Sequence, residues 1–413
     1  MTPVTTKPWL ARFLRAVFSF HLPALVFGLA AGQAAADGPQ GYEGSIDVIN
    51  GRVQITGGGG VWTINQFDNQ NVVVSYSEFN LDQLSRVRFE QPNDTARILN
   101  RISGSTTMIN GRVTANGIVY FANPAGIIFG PNAVIDVAGI YAAAGDISRS
   151  EFLTGVNQAD PQFNIDLTGT IINEGRIGAL QELGDMPENT TRVVALLGRR
   201  VINRGSINLT GPGFITMVSG DSVQVTEMSP DGTPTVAVDI PVGAQLVGNQ
   251  PGVLNEGTIS ARDGQVLLGA GDLYSLAVQN AASGEINTQD TTVTLQAGGG
   301  RIQNDGTITA NGGMVELNAD QGRIANGGTI DAPGAVVEIT APSDRFEHSG
   351  TLVAGDLNVD ASEARLGADV TADNATFSEN TPVVIDADGV TLDVENATTF
   401  NNSVRGSDRT FDL

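Results

Sequence analysis

A chain of 413 residues with no cysteine, 45 acidic against 22 basic residues and a formal net charge of −23 excludes several function classes at once. Disulfides cannot stabilise it, cysteine nucleophiles and thiolate zinc sites are out of reach, and a polyanion offers nucleic acid or anionic membrane no broad basic surface from which to release counterions. Stability must then come from backbone ladders and core stacking.

The N-terminus carries Lys7, Arg12 and Arg15, an apolar run from Ala16 to Gly32, and Ala34-Ala35-Ala36 before Asp37. That order of basic, apolar and small residues is a secretory signal, with cleavage expected after Ala36 and a signal segment of 1–36. The run is too short for a membrane span and is broken by His21 and Pro23, and no later stretch approaches one. Lys7 is the only lysine in the chain. A chain without cysteine also leaves an oxidising compartment nothing to cross-link.

Gly57-Gly58-Gly59-Gly60 reads as a turn, and lacking a following Lys-Ser or Lys-Thr it carries no phosphate-loop signal. From Ala96 to Asp146 the apolar β-runs Val119-Tyr120-Phe121 and Ile127-Ile128-Phe129 flank Asn123-Pro124-Ala125-Gly126. Proline fixes one φ and glycine accepts a positive one, so two strands meet there at a tight corner, and that corner is expected to start a stack of coils.

The stack is announced by a repeat. Asn-x-Gly-x-Ile begins at Asn173, Asn203, Asn255, Asn304 and Asn326, with degenerate copies at Ala282 and His348, so the starts at 282, 304, 326 and 348 keep a step of 22 residues. A second β-run follows each corner by about ten residues, as in Val293-Thr294-Leu295 and Val315-Glu316-Leu317. Short strands, Gly, Asn and Asp at the corners and a period near 22 describe an all-β chain, a right-handed parallel β-helix (solenoid) with an N-terminal cap and extruded loops or hairpins. Ten or so coils at about 4.8 Å each are expected. The five Asn are structural: each amide bonds a corner and pairs with its equivalent one coil on, while Ile points into the core.

Residues 181–190 and 221–250 break the period and are expected to leave the solenoid as loops or short hairpins. The β-helix repeats are expected over 161–350. Beyond 351 the β-runs shorten and Asp and Thr become denser. This 351–413 region continues the β-rich pattern and stops without a polar cap, so the chain is expected to be the front of a longer protein or a truncated reading frame.

Chemistry is scarce. Past the signal the chain has one histidine, His348, at a corner position, so nucleophile–base pairs and zinc sites are not supported. Asp386-Ala387-Asp388-Gly389 places alternate carboxylates before a glycine, the best cation candidate, but it lacks the further acids of a full calcium loop and no metal site is assigned. No cofactor is implied. A solenoid hydrolase or lyase acting on polysaccharide, the alternative reading, would need carboxylates and aromatics in register on successive coils, and Trp and Tyr show no such register.

Leu99-Asn100-Arg101-Ile102-Ser103-Gly104, Asn123-Pro124-Ala125-Gly126-Ile127 and the stretch from Phe129 to Gly139 together resemble the N-terminal secretion domain of filamentous-haemagglutinin-like exoproteins of the two-partner secretion (TPS) pathway. The resemblance covers residues 40–350 and is strongest from Val87 to Ser148. It implies a secretion-domain core and cap over 37–160. It also implies export by Sec and then through an outer-membrane Omp85/TpsB-type transporter, whose POTRA domains bind the secretion domain in an extended state. Folding outside a Gram-negative-type cell would begin with the N-terminal coils. By the same resemblance the product is a non-enzymatic, secreted or cell-surface adhesin whose solenoid faces a host-cell, neighbouring-cell or matrix glycan or protein. A toxin or haemolysin of this class, with its activity beyond residue 413, is the other alternative. The sequence departs from the family at Ala125, where the turn has Asn, and it lacks the family's separate NPNL motif.

Overall fold

The computed structural model describes residues 52–67, 70–156, 162–178, 191–226, 250–271 and 274–406. The signal segment with Ala36 and the inserts at 181–190 and 227–249 lie outside them. The described chain is a parallel β-helix of about 14 turns, more than the ten or so expected.

Three parallel ladders run the length of the stack. In the first sheet the corner position passes from Ile109 to Phe129, Asn173, Asn203 and Asn255. It continues through Asn280, Asn304, Asn326 and His348 to Leu366 and Ile385. The second sheet stacks the repeat isoleucines, with Ile177, Ile207, Ile259, Ile286, Ile308 and Ile330 in one column. The third stacks Val266, Val293, Val315 and Val337. Strand geometry turns alternate side chains inward, so these columns form one continuous buried core. Each buried Ile or Val contributes about 1.5–3 kcal/mol by leaving water.

Register corrects the repeat at one point. The ladder position in the coil before Asn304 belongs to Asn280, and Ala282 lies in its turn, because this corner is two residues longer than the others. The step is therefore not constant upstream of 304.

The Asn-Pro-Ala-Gly corner does not start the stack. Strands Asn71–Tyr76 and Arg97–Ile102 already pair in parallel beneath Arg112–Ala122 in the third sheet. The start is an antiparallel hairpin, Arg52–Gly58 with Val61–Phe67, whose second strand pairs in parallel with Arg86–Glu90. Its two-residue loop is Gly59-Gly60, with φ of 61° and 84°, the twist-compatible turn that demands two positive φ values. The outer strand thus covers an edge that would otherwise be open to pairing.

Two elements lie outside the coils. The helix Arg149–Val156, capped where Ser148 Oγ accepts from Glu151 N at 3.2 Å, has no counterpart in the repeat pattern. Strands Gly145–Asp146, Gln162–Leu167 and Ser222–Thr226 form a separate antiparallel sheet. Of the segment 221–250, expected to leave the solenoid as loops or short hairpins, Ser222–Thr226 is thus a strand outside the coils. Together they cover the outer side of the third sheet and enclose a second apolar core with Leu99, Tyr120, Tyr141, Phe152, Ile165 and Val223. Among the described residues no helix is long and apolar enough to cross a membrane.

Candidate functional site

The segment at Leu99 lies on the third sheet, where alternation sends neighbouring side chains to opposite cores. Leu99 points outward and is buried beneath the extra layer, whereas Asn100 points inward among the apolar columns. Asn100 Nδ2 donates to Tyr120 O at 3.0 Å, while its Oδ1 is buried without a partner. An orphaned buried acceptor costs about 1–3 kcal/mol. The structure offers no compensating contact for it.

Arg101 faces outward again and forks onto Asp146, with Nη2 at 2.8 Å from both carboxylate oxygens and Nε at 3.2 Å from Oδ1. It fastens the coil to the antiparallel layer. Gly104 is required by contact, since a Cβ there would lie 2.0 Å from Ser77 O.

Asn123 is fully buried and uses its whole polar capacity. Its Nδ2 donates to Ser105 O at 2.8 Å and Thr107 Oγ1 at 2.9 Å. Its Oδ1 accepts Ala125 N at 2.9 Å, and its carbonyl accepts Gly126 N at 3.0 Å. An Asx turn and a β-turn coincide on four residues. Gly126 has φ of 106°, and a Cβ would sit 2.8 Å from Thr170 O of the next coil. Ile127 is buried in the core, stacked between Thr107 and Ile171.

Only Pro124 and Ala125 are exposed at this corner, and both act through their carbonyls: Thr168 Oγ1 donates to Pro124 O and Thr106 Oγ1 to Ala125 O, each at 2.9 Å. The departure at Ala125 therefore falls where the side chain makes no demand. In the stretch from Phe129 to Gly139, burial pushes the Asp136 carboxyl above the usual range and Arg112, 3.7 Å away, opposes that. Tyr141 stacks on Tyr120 with ring centres 4.4 Å apart, and burial raises its hydroxyl strongly while Arg97 opposes.

The repeat asparagines make a second constellation. Asn173, Asn203, Asn255, Asn280 and Asn304 each donate Nδ2 to Oδ1 of the next at 2.8 Å. From Asn255 onward the other amide hydrogen reaches a main-chain carbonyl in the following coil at 3.2–3.4 Å, which fixes every amide's orientation. The ladder ends where Asn326 Nδ2 meets His348 Nδ1 at 3.2 Å, and His348 Nε2 meets Asp369 O at 3.0 Å. The Asp369 carbonyl only accepts and Asn326 Nδ2 only donates, so Nε2 carries the proton, Nδ1 accepts, and the ring is neutral. Burial holds its pKa below the usual value, with the bonds to Asp369 and Asn326 opposing. Asn280 also stands ahead of a Gly-x-Ile, at Gly284-Glu285-Ile286, but two extra turn residues take it out of the Asn-x-Gly-x-Ile spacing.

Asp386 and Asp388 are both exposed, and Asp386 is drawn to Arg365 at 3.5 Å. Among the described residues no three His, Cys, Asp or Glu converge as metal ligands.

The TPS secretion domain family model matches residues 33–391. A heme/hemopexin-binding protein of Haemophilus influenzae is 30% identical over 229 residues, which is 55% of this chain and 24% of that protein. A second heme/hemopexin-binding protein of the same species is 44% identical over 77 residues, 18% of this chain and 8% of its own length. The chain thus spans a quarter or less of the curated relatives it matches. The HMW1 secretion domain of Haemophilus influenzae superimposes with a TM-score of 0.58 at 20% identity, covering 87% of this chain and 99% of that structure. At that identity the likeness concerns the fold.

Proposed function

Since the chain belongs to the TPS secretion domain family, we propose that its N-terminal coils direct export through an outer-membrane Omp85/TpsB-type transporter and then template the coils that follow. The transporter's POTRA domains meet these residues while the chain is extended. What supports this reading is the burial of the signature: Leu99, Asn100, Asn123 and Ile127 are closed off in the folded domain. Side chains so enclosed are open to a transporter only before folding. Afterwards they hold the corner and the two cores together.

In this reading the coils beyond residue 250 form a non-enzymatic, adhesive or structural surface outside the cell. A haem- or haemopexin-binding reading, taken from the names of the relatives, gains nothing from His348, whose two ring nitrogens are both engaged inside the stack. The test pairs Asn123→Ala with Gly126→Val in cells carrying the partner transporter. Loss of the folded protein from the medium, with the transporter unchanged, is the expected result. Accumulation outside at the wild-type level would contradict a role of this corner in export.

A further inference from the structure

Residues 250–406 hold 22 acidic residues and only six arginines. Five of those six, Arg301, Arg323, Arg345, Arg365 and Arg405, lie on one face, the outer side of the first sheet. Their strand neighbours Ile302, Ile324, Phe346 and Ala364 point inward and are buried. Arg301, Arg323 and Arg345 occupy one column on three consecutive coils, about 4.8 Å apart along the stack. Like charges stacked this way repel.

The counter-charges on this face are too few. Glu347 is shared by Arg323, at 3.0 Å, and Arg345. Glu363 is shared by Arg365 at 2.6 Å and Arg405 at 2.7 Å, and Asp386 lies 3.5 Å from Arg365. Burial alone would raise Glu363, but the two guanidinium groups outweigh it and hold the carboxyl below its usual range. Arg301 forms no ion pair among the described residues, and its Nε is buried without an acceptor. Five planar donors thus share three carboxylates, the fourth carboxylate of this face, Asp305, being held by Gln279 and Gln303, while the outer third sheet presents Glu316 and Glu338 in one column.

We propose that this face binds a linear acidic polysaccharide laid along the coil axis, with Arg301, Arg323 and Arg345 each engaging one sulfate or carboxylate. A guanidinium fork matches either group in a bidentate manner. The cations extend over successive coils without converging, which suits an extended polymer better than a compact anion. Repulsion from the acidic faces leaves this one as the place where a polyanion can settle. The proposal rests on the surface-display reading of these coils and names the face and its ligand.

The test uses the refolded full chain with two probes, dextran sulfate and polygalacturonate, between about 50 mM and about 200 mM salt. Wild type should bind at least one polymer, and the polymer that binds distinguishes a sulfated from a uronate ligand. Arg301→Gln, Arg323→Gln and Arg345→Gln combined should weaken binding about tenfold or more and reduce the salt slope by about two, as loss of three ionic contacts requires. Glu347→Gln with Glu363→Gln should strengthen it, and this second variant decides the matter should the triple variant fail to fold. Arg262→Gln, off the face, should change nothing. Absence of binding by wild type, or equal binding by wild type and the triple variant, overturns the proposal. So does salt-sensitive self-association through these arginines that excludes polymer, since the face would then seat a second copy. Export measured in parallel separates the two readings: a triple variant exported normally yet unable to bind polymer leaves the secretion reading intact.

Discussion

Residues 52–226 and 250–406 build the same three-sheet core and finish it differently. In the first region the outer side of the third sheet is apolar, with Tyr120, Tyr141 and Ala195 in one column beneath a helix and an antiparallel sheet. In the second the same column reads Thr294, Glu316 and Glu338 and faces solvent. Charge follows this division: twelve arginines meet fifteen acids over residues 52–226, and six meet 22 over residues 250–406. One region is therefore clamped by a second core, and the other stands on its coil-to-coil contacts and the amide ladder. A solenoid in which each coil touches only its neighbours should respond to damage locally where it is bare and more broadly where it is clamped.

The largest effect is expected from emptying the doubly packed region. Phe121→Ala removes a fully buried ring that contacts Phe79 edge-on at 5.2 Å, and should cost about 3–5 kcal/mol. Limited proteolysis should then open residues 71–143 together. Phe346→Ala, in the bare coils, should cost a similar amount but expose only adjacent coils. Equal spreading in the two variants would erase the distinction.

Next comes the ladder. Asn304→Ala leaves Asn280 Nδ2 without its acceptor and Asn326 Oδ1 without its donor, and should cost about 2–3 kcal/mol, read as a shifted denaturant midpoint. Arg101→Gln should be the mildest of the neutral-pH substitutions, within about 1 kcal/mol, because the Asp146 pair is exposed.

His348 adds a pH dependence confined to the bare region. Asn326, Asp369 and the ring of Phe346 face it, and Asp369 is the nearby charge. With its folded pKa lowered, the unfolded chain takes the proton first. Stability should therefore fall as pH drops below about 6.5 and level off only beneath the folded value. His348→Asn, which extends the amide ladder, should remove that component from the acid-unfolding curve. An unchanged curve would mean that His348 does not control it.

The parts of the fold legible in sequence are those that every coil repeats. Asn, Gly and Ile recur because each corner must satisfy the same amide, turn and core column, so Asn173, Asn203, Asn255, Asn304 and Asn326 declared the stack. Asn280 was hidden by two extra turn residues. The helix Arg149–Val156 and the antiparallel layer were illegible for the opposite reason: they occur once, and their apolar residues serve an outer core with no periodic signature. The corner at Asn123 was legible as a turn from Pro124 and Gly126. Its depth in the stack was not, because the preceding strands Asn71–Tyr76 and Arg97–Ile102 carry no Asn-x-Gly-x-Ile.

The central claim is that the signature residues hold the N-terminal coils together once the chain has folded. Amide hydrogen exchange on the refolded full chain, wild type against Asn123→Ala with Gly126→Val, tests it most directly. Protection should be lost at residues 97–143 and at 170–173, where the next coil stacks on Gly126, while residues 301–366 exchange as in wild type. Wild-type protection at 97–143 in the variant would contradict the account and leave the corner as a transporter signal alone.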